Sequence, residues 1–161
     1  MIFVTTGSML PFDRLIRAVD EWALAARRDD LYAQIGDGDY KPCNMMWTSM
    51  LSPREFTARI QESALIIAHA GMGTIITALD SHKPLVLLPR LAAKREVTTD
   101  HQVHTAARFR GTGGIFVAER ETELGETIEM ALSRGGHVAF LPSLSRAQFL
   151  ERIRTFIHGR G

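Results

Sequence analysis

Ala68-His69-Ala70-Gly71-Met72-Gly73-Thr74 is the stretch whose reading decides the fold, set between the apolar run Ala64 to Ile67 and the helix-like Ile75 to Leu79. A short β-rich strand that runs into glycines, a hydroxyl residue and then a helix turns bare backbone N–H groups and a positive helix end toward one spot. That is a phosphate site in outline. Glycine lets the backbone approach closely, and charge-assisted hydrogen bonds, roughly 1.5 to 3 kcal/mol each, favour a diphosphate over a neutral ligand. The alternative is a tight strand-to-helix turn that needs glycine only for its geometry, because short glycine motifs often recur without function.

Outward from this motif the hydrophobic period alternates between strand and helix. Ile2 to Thr5 reads as a strand, and Phe12, Leu15, Ile16 and Val19 recur at helical spacing through about Arg27. Leu31 to Ile35 is a second strand, ending at the loop signal Gly36-Asp37-Gly38, and Met45 to Leu51 a third. Ser52-Pro53-Arg54-Glu55 then opens a helix, with Ser as N-cap, Pro in the first turn and Glu three residues on. Leu65 to Ala68 and Leu85 to Leu88 are short, nearly all-apolar strands of the kind buried on both faces. Thr99 to Phe109 reads as helix, Gly113-Gly114 breaks it, Ile115 to Val117 is a last strand and Glu121 to Leu132 another helix. The alternation predicts an α/β fold, a doubly wound parallel sheet that binds ligands beyond the C-terminal ends of its strands. Residues 1–134 form that domain. The segment 135–161 is a linker followed by a terminal helix from Ser145 to Ile157, which packs on the domain or crosses to a partner.

The 161 residues, 23% of them charged, suit one globular domain with a proper core. A formal net charge of +1 gives no reason to expect nucleic acid. Cys43 stands alone, so neither a disulfide framework nor a cysteine metal site is expected, and a cytoplasmic setting fits best. The chain opens directly on a strand, without the layout of a signal peptide, and no apolar run approaches a membrane span.

Three segments converge at the strand ends: Thr5-Thr6-Gly7-Ser8, the His69 motif, and the loop from Pro89 to Gln102. Gly7 flanked by hydroxyls suits a second grip on phosphate, or is simply a common strand exit. The loop is long and polar, which usually means function or mobility. Arg90 has an anion within its chemical reach, while Glu96, Asp100 and Gln102 suit sugar hydroxyls; Lys94 and Arg95 read better as a solvated face. His69 either donates to a phosphate oxygen or caps the turn, and His101 either touches ligand or holds the loop. His82, His104, His137 and His158 read as surface residues. No histidine pair has ligand spacing, so no metal is expected. The Gly-x-Ser-x-Gly nucleophile elbow is absent.

The ordered series Val4-Thr5-Thr6-Gly7, Phe12-Asp13-Arg14-Leu15-Ile16, Gln34-Ile35-Gly36, His69 to Thr74, Lys83-Pro84-Leu85 and Asp100-His101-Gln102 resembles the C-terminal domain of glycosyltransferase family 28 over residues 1 to about 132. Within it, the chain looks most like the small catalytic subunits of two-component bacterial exopolysaccharide or capsule transferases. It is similar in architecture to the eukaryotic subunit that adds GlcNAc to a dolichol-linked precursor. The resemblance implies a Rossmann-like domain equivalent to the C-terminal, donor-binding half of a GT-B enzyme. By motif, Gly7, Ser8, His69, Gly71, Met72, Gly73 and Thr74 would surround the diphosphate of a UDP-sugar, with uracil near Met50, Leu51 and Ser52. Arg90, Glu96, His101 and Gln102 would face the sugar. A carboxylate that commonly holds the ribose is Thr77 here. His69 and Glu96 are the catalytic candidates; Asp13 or Glu96, or a partner, would supply the base.

A complete GT-B enzyme needs a second domain of similar size. The expectation is therefore a membrane-anchored acceptor-binding subunit, a lipid-linked saccharide acceptor, an inverting transfer, no cofactor and a cytoplasmic site peripheral to the membrane. A stand-alone UDP-binding regulatory or structural module, or an epimerase, are the rival readings.

Overall fold

Strands with no exposed face must sit inside a sheet, and the apolar runs do so. A computed structural model of the chain describes residues 1–134; the expected linker and the helix from Ser145 to Ile157 lie outside the described residues. β1 (Ile2–Thr5), β2 (Leu31–Gln34), β3 (Met46–Thr48), β4 (Leu65–His69), β5 (Leu85–Leu88) and β6 (Ile115–Val117) form one parallel sheet in the order β3-β2-β1-β4-β5-β6. This is the doubly wound order of a Rossmann sheet, whose switch point lies between β1 and β4. There Thr5 stands opposite Gln34 on one side and Ala68 on the other.

Among the described residues, five α-helices cover the sheet: α1 (Asp13–Ala25), α2 (Pro53–Glu62), α3 (Met72–Asp80), α4 (His101–Phe109) and α5 (Glu121–Arg134). Alternation along each strand sends neighbouring side chains to opposite faces. Ile2, Val4, Ile67 and Leu88 meet Leu15, Ile16 and Val19 of α1 and Leu124 and Ile128 of α5. Phe3, Ile66, Ala68 and Leu87 meet Ile60 of α2, Ile75 and Ala78 of α3 and Ala106 of α4. The two layers enclose the strands, and burial of such side chains, about 1.5 to 3 kcal/mol each, dominates the stability.

The elements follow their sequence signals with local exceptions. The capping box at α2 forms as read, with Glu55 N–H donating to Ser52 Oγ and Glu55 Oε2 accepting from Ser52 N–H. β3 is shorter than the expected Met45 to Leu51. It is the sheet's edge, with Met46 and Trp47 exposed, so pairing on one side alone holds it. α4 begins at His101 rather than Thr99, because the Asp100 carboxylate accepts from Ala92 N–H at 2.9 Å and makes no cap bond to its own helix.

Candidate functional site

The loops leaving β1 and β4 meet over the imidazole of His69. A Cβ on Gly7 would stand 2.5 Å from His69 Cε1, and one on Gly71 would overlap Nε2. Gly7 also has φ +80°, where a side chain is strained. Both glycines therefore make room for the ring, which adds a cause to the one read from sequence. Nδ1 is buried without a hydrogen-bond partner. Burial first, then the nearby Arg90 charge, push the His69 pKa down to about 4, the Thr5 backbone opposing only in part. At neutral pH the ring is uncharged.

α3 starts beside it. Its N-cap is Gly71, no side chain caps the first turn and no acidic residue stands there. Gly73 has nothing within 4 Å of where a Cβ would lie. The helix thus points its positive end, with no side chain capping its first N–H groups, into open space next to the Nε2 edge of the His69 ring.

Arg90, at the end of the segment leaving β5, is 2% exposed. Its Nη1 donates to Pro11 O at 2.7 Å, and its Nη2 to Thr6 O at 2.7 Å and Leu10 O at 2.6 Å. The guanidinium carbon lies 4.8 Å from the centre of the Phe12 ring. Burial lowers the Arg90 pKa, and Glu96 offsets part of this. Arginine remains charged regardless.

The remainder of that loop is stapled to α1. Arg14 Nε and Nη2 reach the two oxygens of Glu96 at 2.7 and 2.8 Å, and Leu91 N–H donates to Glu96 Oε2 at 2.9 Å. Arg14 also donates to Pro89 O at 2.8 Å and to Glu121 Oε2 at 3.0 Å. Burial works to lower the Arg14 pKa, but the two carboxylates outweigh it and raise it. Gln102 Oε1 accepts from Arg90 N–H at 3.2 Å. On the far side of this clasp, Asp13, Arg14, Arg17, Glu21, Lys94 and Glu121 line much of an open groove of ≈ 490 Å³; His69 is not among its walls.

Comparison with known proteins agrees with the order of motifs. The model of the glycosyltransferase family 28 C-terminal domain matches residues 1–138. The chain belongs to this family. Among solved structures, ALG13 in solution is similar at 18% identity and a TM-score of 0.63, over 94% of this chain and 93% of that one. The glycotransferase of kitacinnamycin is 19% identical, with a TM-score of 0.60 over 84% of this chain. Spinosyn forosaminyltransferase SpnP is 16% identical, with a TM-score of 0.63 over 97% of it. The chain spans 34% of the kitacinnamycin enzyme and 43% of SpnP, but nearly all of ALG13. At these identities the likeness is one of fold. No curated protein matches.

Set against the family 28 expectations, the structure brings Gly7, His69, Gly71, Met72, Gly73 and Thr74 together at the switch point, with Ser8 exposed on the adjoining loop. Arg90 requires correction. Expected to face the sugar, its guanidinium is instead turned inward, donating to three backbone carbonyls. Glu96 also differs: both oxygens are engaged and its side chain is 13% exposed, so it holds Arg14 and the loop rather than standing free as a base. Thr77 donates its hydroxyl to Gly73 O one turn back, leaving it only as an acceptor for a ribose. His101 is exposed at the start of α4. In the expected uracil segment the N–H groups of Leu51 and Ser52 are taken by Gln34 and Glu55, while Met50 is half exposed. Asp13 accepts from Asp39 N–H at 3.1 Å.

Arg14 and Gln34 stood in the quoted motifs without a role. Their signal was their type: an arginine facing a carboxylate-rich loop, and a glutamine ending an otherwise apolar strand, must each find partners once buried. Among the described residues no group of three His, Cys, Asp or Glu could hold a metal, and no helix is long and apolar enough to cross a membrane.

Proposed function

We propose that this chain is the donor-binding catalytic subunit of an inverting UDP-sugar glycosyltransferase, acting on a lipid-linked saccharide in exopolysaccharide or glycan biosynthesis. The observation that carries the reading is the uncapped N-terminus of α3 beside the His69 ring, whose Nε2 edge faces Gly71, at the switch point of a family 28 sheet. A diphosphate there accepts from the α3 amides, and its charge favours the protonated ring, whose Nε2 edge faces the same helix end.

During transfer, an acceptor hydroxyl attacks the anomeric carbon opposite UDP, the glycosidic bond to the diphosphate breaks, and negative charge grows on the leaving oxygen. The α3 amides and helix dipole are already oriented toward that charge, so they stabilise it without reorganisation. They do the work that a metal ion does in other transferases, and the reading calls for no cofactor. With Glu96 bound to Arg14, the base that deprotonates the acceptor is Asp13, which lines the open groove, or a group of the partner. That partner is the acceptor-binding, membrane-anchored half, and through it a cytoplasmic protein is held at the membrane surface.

Gly73→Val tests the phosphate assignment. The open space at Gly73 leaves the fold indifferent to the new side chain, whereas a bound diphosphate would meet it. Calorimetry should show UDP affinity falling about tenfold or more, equivalent to roughly 1.4 kcal/mol, with thermal stability unchanged. Unaltered affinity sinks the assignment.

A further inference from the structure

Gln34 ends β2, is 2% exposed and lies between two loops that the family 28 resemblance would place at opposite ends of a nucleotide. Its Nε2 donates to Gly7 O at 3.0 Å, and its Oε1 accepts from Leu51 N–H at 3.0 Å. The orientation of the amide is not a free choice: a carbonyl only accepts and a backbone N–H only donates, so the two partners dictate which end is which. The main-chain carbonyl of the same residue receives Thr6 N–H at 3.1 Å.

This arrangement determines where the first loop presents its donors. No peptide bond among the described residues is cis, so each N–H points opposite the carbonyl of its own peptide unit. Gln34 draws the Gly7 carbonyl inward, and the N–H of the following residue, exposed Ser8, must then face outward. Arg90 draws the carbonyls of Thr6, Leu10 and Pro11 inward in the same way, and Gly7 N–H is engaged by Thr5 Oγ1 at 3.1 Å. Ser8 N–H is thus presented away from Gln34, on the same loop whose Gly7 abuts His69. Meanwhile the other end of the Gln34 amide sets the position of Leu51, in the segment between β3 and α2.

We propose that Gln34 is a positioning residue that couples the phosphate loop to the base loop: one buried amide sets the outward Ser8 N–H through Gly7 and the uracil-facing segment through Leu51. This rests on the UDP-sugar reading and names how its two ends communicate. Occupation of the base segment steadies Leu51, and through the same amide steadies the donor that meets the diphosphate.

Gln34→Glu separates the two bonds. The substitution keeps an oxygen to accept from Leu51 N–H but sets a carboxylate oxygen against the Gly7 carbonyl; burial and that facing carbonyl raise the carboxyl's pKa, so at pH 5 it is protonated and donates to the carbonyl again. Calorimetry with UDP should show Gln34→Glu about tenfold or more weaker than wild type at pH 8, and within about threefold of wild type at pH 5. A ratio that does not change with pH overturns the proposal. Gln34→Met, apolar and of similar volume, should weaken UDP binding at both pH values. Should either variant unfold, the wild-type protein decides alone: in an amide NMR titration with uridine, which carries no phosphate, the Ser8 amide should shift along with Leu51. A Leu51 shift with Ser8 unmoved contradicts the coupling. Failure of wild type to bind UDP would instead refute the donor reading itself, so the two failures are distinguishable.

Discussion

At the residue scale the account turns on His69. Its strand-end position and neighbouring glycines were legible in the sequence, but the reason for the glycines was only partly so. Gly7 and Gly71 lie far apart in the chain, and only the sheet order shows both against the same ring. For Arg90 a related cause operates: its type suggests an anion, and nothing local reveals that its guanidinium donates to three carbonyls of a loop some eighty residues earlier. The ring's titration follows from its burial. A histidine in the unfolded chain titrates near 6.5, so between about pH 6.5 and 4 the unfolded state binds the extra proton. The stability contribution is whole above about 6.5 and is lost as pH falls toward 4. NMR titration of the free protein should find the His69 ring neutral down to about pH 4, with the midpoint moving upward when UDP is saturating. An ordinary midpoint near 6.5 in the free protein would contradict this.

At the element scale the helices and central strands were legible because their periodicities are strong, and the loops were not. The segment from Pro89 to Gln102 reads as an open polar loop, yet it contains a 3-10 turn at Ala92–Lys94 and is pinned by Arg14, Glu96 and Asp100. Long-range ion pairs have no period, and so leave no local trace. The connection between β2 and β3 is held similarly, by Asp20 of α1. Its carboxylate accepts from Tyr40 Oη at 2.7 Å, Asn44 N–H at 2.8 Å and Cys43 N–H at 3.2 Å. Burial works to raise the Asp20 pKa, but these bonds outweigh it and lower it, while Asp20 holds the Tyr40 hydroxyl up at about 12. Asp20→Ala strands three donors, and urea unfolding should show a loss of about 2 to 4 kcal/mol. A change under about 0.5 kcal/mol would mean that the loop is held by something else.

At the scale of the whole molecule, the fold class was legible because strand and helix alternate throughout. The order of the strands was not, since all-apolar strands carry no information about which neighbour they choose. That order matters most: it creates the switch point between β1 and β4 and so makes one site of two loops. The chain spans nearly all of ALG13 but less than half of the kitacinnamycin enzyme and of SpnP. The donor-half reading therefore predicts that the purified chain alone transfers little or no sugar, and that an acceptor-binding partner restores transfer. Full activity alone would contradict the division, while UDP binding with no turnover beside any partner would favour a regulatory module.

The central claim is that the switch point holds a diphosphate, and calorimetry comparing UDP with uridine on the wild-type chain tests it most directly. Charge-assisted bonds to the α3 amides, roughly 1.5 to 3 kcal/mol each, predict one site that binds UDP at least about tenfold tighter than uridine. Equal affinities for the two, or no binding of UDP, would contradict it.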